Sequence, residues 1–151
     1  MIVLIVLFAA FTTSLAIQRI ISADWQMIES GNIATFVMLL FTAFGHFKFS
    51  KGMEKMLPKF SPMKKEIIFI TGIFEILCGI ALLFPDRRYT SGILLILFFI
   101  LILPANIKAA IDRLDYQKGT YDGNSTNYLW FRVPMQIFLI LWVWYFSVRG
   151  Y

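Results

Sequence analysis

Five stretches of the chain are nearly free of charge, and polar segments rich in lysine, arginine and turn formers separate them. They run over about residues 2–17, 33–49, 67–84, 89–107 and 128–146. A helix needs about 20 mostly apolar residues to cross the hydrocarbon of a bilayer. The pattern predicts an all-α membrane protein, a four-helix transmembrane bundle with an additional N-terminal transmembrane segment. The connections are short, so residues 1–151 read as a single integral membrane domain.

Composition strengthens this reading. The 151 residues are 59% hydrophobic and 15% charged, against roughly 45–50% and about 25% in soluble domains. Mean hydropathy is +0.73. The net charge of +5 would suggest nucleic acid in a soluble protein. Here the basic residues gather in the connections, so nucleic acid is not expected and anionic lipid headgroups are. With a single cysteine, Cys78, the chain has no intramolecular disulfide or dithiol pair, and with a single histidine, His46, it has no zinc ligand set. No metal site is expected. Gly-rich phosphate loops, nucleophile elbows and internal repeats are also absent from the sequence.

The first stretch, Ile2 to Ile17, is short enough for a signal peptide. It has no basic residue before its apolar run, and Ser14 and Ala16 only weakly imitate a cleavage site, so it reads as a retained span. Residues 18–32 read as a polar, partly interfacial connection. With five spans, the connections after the second and fourth lie on the side of the N-terminus. They hold Lys48, Lys51, Lys55, Lys59, Lys64, Lys65, Lys108, Arg113 and Lys118, against Arg19, Arg87, Arg88 and Arg149 on the other side. The excess of positive charge on cytoplasmic loops then places the N-terminus in the cytoplasm. Trp142, Trp144 and Tyr145 read as interface anchors.

One charge interrupts the third stretch. Glu75 stands alone in the run from Ile67 to Phe84. A carboxylate at mid-membrane costs about 3 kcal/mol on insertion scales and marks a functional site by default. Thr71, Gly72, Glu75, Cys78 and Gly79 share one helix face, and their small side chains admit a neighbouring helix. The bland reading is a packing residue that fixes helix register. The sharper one, a ligand or proton site, is favoured. His46, between Gly45 and Phe47, reads either as an interfacial histidine bonded to a carbonyl or as a partner of Glu75. It sits near the membrane border and Glu75 deeper, so direct contact would need tilt or a linking polar residue. Pro104 frees a backbone carbonyl that Asn106 could satisfy. Arg132 and Gln136 open the last stretch, with Arg132 a counter-ion for Glu75 or a snorkelling cation. Together His46, Asn106, Arg132 and Gln136 predict a polar funnel floored by Glu75.

FGHF at 44–47, GMEKMLP at 52–58, TGIFEILCGIALLFP at 71–85, LPANI at 103–107, DYQKGTYDG at 115–123 and WFRVPMQ at 130–136 together resemble the DoxX-like family of small bacterial membrane proteins. The resemblance runs over about 33–148. It implies a four-helix bundle in a bacterial cytoplasmic (inner) membrane, whose first helix carries Gly-His-Phe. The N-terminal stretch is an addition to it. Some relatives are linked to quinone-coupled sulfur oxidation or oxidative-stress complexes, and no catalytic set carries over.

Three functions fit. The favoured one is a non-enzymatic membrane component that binds a lipid, quinone or small hydrophobic molecule around Glu75, or supports a membrane complex. The next is the membrane subunit of a quinone-linked redox enzyme, with protons moved by Glu75 and His46 and electrons supplied by a bound quinone or a redox protein partner. The third is a small transporter, for which five spans suffice only in a homo-oligomer. No cofactor is evident beyond such a bound quinone or lipid.

Overall fold

The computed structural model describes residues 2–57, 61–115, 117–121 and 129–149. Lys59, the turn formers Asp122, Gly123 and Asn124, and Tyr128 at the start of the last apolar stretch lie outside them. Among the described residues the secondary structure is helical apart from one isolated bridge, Asp115 to Thr120. The long helices are α1 (Ile2–Ser22), α2 (Met27–Lys48), α4 (Lys64–Leu82), α5 (Pro85–Ile111) and α6 (Leu129–Val143), with a short α3 (Ser50–Met53) between α2 and α4. The last turn of α6 widens into a π-helix, Trp144–Val148. The molecule is an all-α membrane protein. α1, α2, α5 and the helix through Val148 are each long and apolar enough to cross a bilayer. α4 falls short by composition, because Lys64, Lys65 and Glu66 fill its first turn.

The helix boundaries follow from local chemistry. α1 ends where Ala23 takes a left-handed φ of 59°. Pro85 ends the apolar run of α4 and also opens α5, where its missing N–H is no loss and its fixed φ suits the first turn. Only Leu83 and Phe84 separate the two helices. Pro104 is carried inside α5.

Side-chain contacts give the arrangement. Gly72 lies against His46 and Gly79 against Phe36, so α4 runs antiparallel to α2. Ser91 bonds to Cys78 and Phe74 stacks on Phe98, so α5 runs back along α4. Gln136 reaches Phe99 and Gly92 meets Ser147, which sets α6 antiparallel to α5. Gly31 against Phe146 closes the ring, α6 antiparallel to α2. α1 lies outside this ring, parallel to α6, with Phe8 and Phe11 edge-on to Trp142. The shared core contains Leu7, Met38, Leu39, Leu82, Leu95, Phe98, Phe99, Leu139 and Val143.

Lipid tails are as apolar as leucine, so close packing and hydrogen bonds hold the helices together. Glycine makes the tightest approaches possible. A Cβ at Gly31 would lie 2.3 Å from the Phe146 ring, and one at Gly92 would lie 2.8 Å from Ser147 Cβ. Both crossings fall at one end of the bundle, the glycine end. The opposite, lysine end holds the last turn of α2, α3, the first turn of α4 and the last turn of α5.

Two expectations need correction. Residues 18–32 are not a connection: α1 continues through Ser22 and α2 begins at Met27, leaving only 23–26 between them. Ser30, Gly31 and Asn32 read as polar loop, yet they are buried, because Phe146 and Ser147 pack on them. The second concerns depth. His46, near the end of α2, lies level with the middle of α4, since Gly72 is beside it. α4 starts about two turns beyond the end of α2, in space that α3 and Met56 help fill against Ala109 and Leu114 of the α5 end.

Candidate functional site

Glu75 is 3% exposed and faces α2. His46 Nδ1 lies 3.2 Å from its Oε2, and the Thr42 hydroxyl also lies 3.2 Å from Oε2. His46 and Thr42 are one turn apart on α2, so both reach the same carboxylate. His46 Nδ1 is also 3.1 Å from the Thr42 carbonyl. Both neighbours of Nδ1 are acceptors, so this nitrogen carries the proton. Neither linking residue nor water is needed between His46 and Glu75.

This arrangement leaves two atoms with capacity. Both contacts fall on Oε2, and Oε1 has no hydrogen-bond partner among the described residues. The same is true of His46 Nε2, on a side chain that keeps 18% of its surface exposed. With Nδ1 protonated, neutral histidine presents Nε2 as an acceptor, and with one more proton it presents a donor. Gly45, one residue earlier, has nothing within 4 Å of where a Cβ would stand. No packing neighbour requires a glycine there, and the surface beside the histidine is open.

The other sequence candidates do not converge on this pair. Gln136 is 4% exposed, but its amide donates to the Phe99 carbonyl at 3.0 Å, across the α5–α6 contact. Pro104 leaves the neighbouring Ile100 carbonyl without an i+4 amide, and among the described residues neither Gln136 nor Asn106 bonds to it. Asn106 is half-buried near the end of α5, and Arg132 half-buried one turn before Gln136. The side chain that meets Glu75 is His46, where Arg132 was one expectation. Of the five, Glu75 and His46 form a pair and Gln136 makes a separate α5–α6 bond.

A second polar cluster lies at the glycine end. Asn32 Nδ2 donates to the carbonyls of Ile28 and Phe146, at 2.8 and 2.9 Å, and its Oδ1 accepts from Ser147 at 2.7 Å. Thr35 donates to the Gly31 carbonyl and accepts from Trp142 Nε1 at 3.2 Å. This cluster is neutral and its amide is fully used. The Ser30 hydroxyl alone in it has no partner among the described residues.

A family model described as a domain of unknown function, DUF8561, matches residues 36–147. The chain belongs to this family. No curated protein and no solved structure matches it. The DUF8561 span begins inside α2 and ends in the π-helix, so it takes in Thr42, His46, Glu75 and Gln136 and leaves out α1 and Asn32. Within the DUF8561 span, Thr42 is the site residue that sequence reading missed. The available signal was its i, i+4 spacing to His46 on a helix that must face Glu75.

Proposed function

We propose that this DUF8561 protein is a non-enzymatic, multi-pass membrane component that binds a quinone, lipid or other small hydrophobic molecule at the Glu75–His46 pair. The observation that carries this reading is the locked imidazole. Nδ1–H is held between the Thr42 carbonyl and the Glu75 carboxylate, so Nε2 is left with no hydrogen-bond partner among the described residues. On the other member of the pair, Glu75 Oε1 has no hydrogen-bond partner among the described residues and is a second acceptor. Two acceptors of this kind match a hydroxyl-bearing ring or headgroup. Adding one proton to His46 converts Nε2 to a donor suited to a carbonyl, so the two states complement a quinol and a quinone. The open surface at Gly45 gives the ligand room.

We read α4 as a fifth crossing, because it lies antiparallel between α2 and α5, which both qualify as spans. By the distribution of lysines, the lysine end faces the cytoplasm of a bacterial inner membrane. The proposed kinship with DoxX-like proteins rests on the motif resemblance over about 33–148.

Native mass spectrometry with lipid extraction tests the site. The wild type should retain one specific quinone or lipid, which Glu75→Gln and His46→Phe should each release. Only bulk lipid on all three proteins would overturn the reading.

A further inference from the structure

The lysine end carries a second, separate feature. A cleft of about 570 Å³ opens there, lined by Lys51, Glu54, Lys55 and Leu57 from the α3 segment, Lys64 from α4, Lys108 and Asp112 from α5, and Tyr121. Four ammonium groups face two carboxylates, so the cleft is cationic. The cations are not equivalent. Lys108 is paired with Asp112 at 2.9 Å. Lys55 donates to the Gly119 carbonyl and lies over the Tyr121 ring. Lys51 and Lys64 have no acceptor among the described residues, and neither comes within ion-pair distance of Glu54 there. They approach from different elements and share one cavity.

The backbone adds to this field. Lys64 is the first residue of the 19-residue α4, and its N-cap, Met63, supplies no side-chain bond to the first amides. The positive end of the α4 dipole therefore lies on the same side of the bundle as the cleft, where Lys64 lines it. Leu57 and Tyr121 give the same wall an apolar and an aromatic surface.

We propose that this cleft binds a phosphate group, held by Lys51 and Lys64 with the first turn of α4. A lipid headgroup and a soluble phosphate share this chemistry. The site is distinct from the Glu75–His46 pair and stands or falls without it.

The test is calorimetric titration of the full-length protein in non-ionic detergent, with dihexanoyl-phosphatidylglycerol in one arm and inorganic phosphate in the other. Saturable one-to-one binding is expected in at least one arm. Binding by the lipid alone assigns a headgroup, and binding by inorganic phosphate assigns a free anion. Replacing both Lys51 and Lys64 by Gln should weaken binding about tenfold or more, since each removes a charge-assisted hydrogen bond. Lys65→Gln removes the same charge from the exposed neighbour of Lys64, outside the cleft, and should leave affinity within about twofold of wild type. Glu54→Gln removes a negative charge from the lining and should tighten binding. No saturable binding in either arm overturns the proposal. So does a double variant that keeps its melting temperature and binds as tightly as wild type.

Discussion

The two ends of this bundle bury polar groups in opposite ways. At the glycine end, Asn32, Thr35, Trp142 and Ser147 exchange neutral hydrogen bonds over helices brought together at Gly31 and Gly92. Every bonding site of the Asn32 amide that the packing reaches is occupied. Toward the lysine end, Glu75 is held through one oxygen and His46 through one nitrogen, and the second atom of each has no hydrogen-bond partner among the described residues. The glycines say the same. Gly31 is where a ring must pass, and Gly45 is where nothing passes. Apart from the Ser30 hydroxyl, the cluster at one end spends its polar groups on joining helices. The other keeps bonding capacity in reserve, as a binding site requires.

The sharpest way to break this contrast is to fill the glycine end. Gly31→Ala puts a methyl into the body of the Phe146 ring, which cannot swing aside as a flexible tip would. A loss of about 3 kcal/mol is expected from overpacking, read as a lowered melting temperature in detergent. A melting temperature equal to wild type would show that the α2–α6 crossing is slack.

The next test compares the two polar clusters directly. Asn32→Ala strands the Ser147 hydroxyl and two carbonyl contacts, and should lower stability by about 1–2 kcal/mol with ligand content unchanged. Glu75→Gln should do the reverse. His46 Nδ1 keeps the Thr42 carbonyl and the Thr42 hydroxyl keeps the Leu39 carbonyl, so both retain partners. The stability change should stay below about 1 kcal/mol, while bound quinone or lipid is lost. A large destabilisation by Glu75→Gln with unchanged ligand content would make Glu75 a second register-fixing residue.

The smallest effect on stability is expected at Gly45. Alanine meets no neighbour there and replaces the poorer helix former, so stability should hold or rise by up to about 1 kcal/mol. The added methyl takes up open surface beside His46, so ligand retention should fall. Retention at the wild-type level would place the ligand elsewhere on the pair.

How much of this was legible depends on the kind of signal. Glu75 was visible because one charge in an apolar run has few explanations. The helices were visible as apolar runs, though the run of α4 gave no hint that its charged first turn extends past the end of α2. A sequence gives the length of each run but not its offset along the bundle, and so His46 and Glu75 read as lying at different depths. Asn32 was hidden because Ser30, Gly31 and Asn32 resemble a turn. Only the ring of Phe146, more than a hundred residues away, makes them a helix contact. Gln136 was picked out as polar and inward, but its target depends on where α5 lies, which composition does not encode.

The two-residue link between α4 and α5 has a consequence for how the protein enters its membrane. α4 is the one long helix whose composition is marginal for insertion, and α5 contains the most apolar window of the four that qualify. Leu83 and Phe84 give them no length to part company as they leave the ribosome. The pair must partition as one hairpin, in which the greasier arm draws in the arm that bears the carboxylate. Ser91 and Arg88 already bond to carbonyls of α4 across that hairpin. On the reading of α4 as a fifth crossing, Glu75 thus enters the membrane as a passenger of α5.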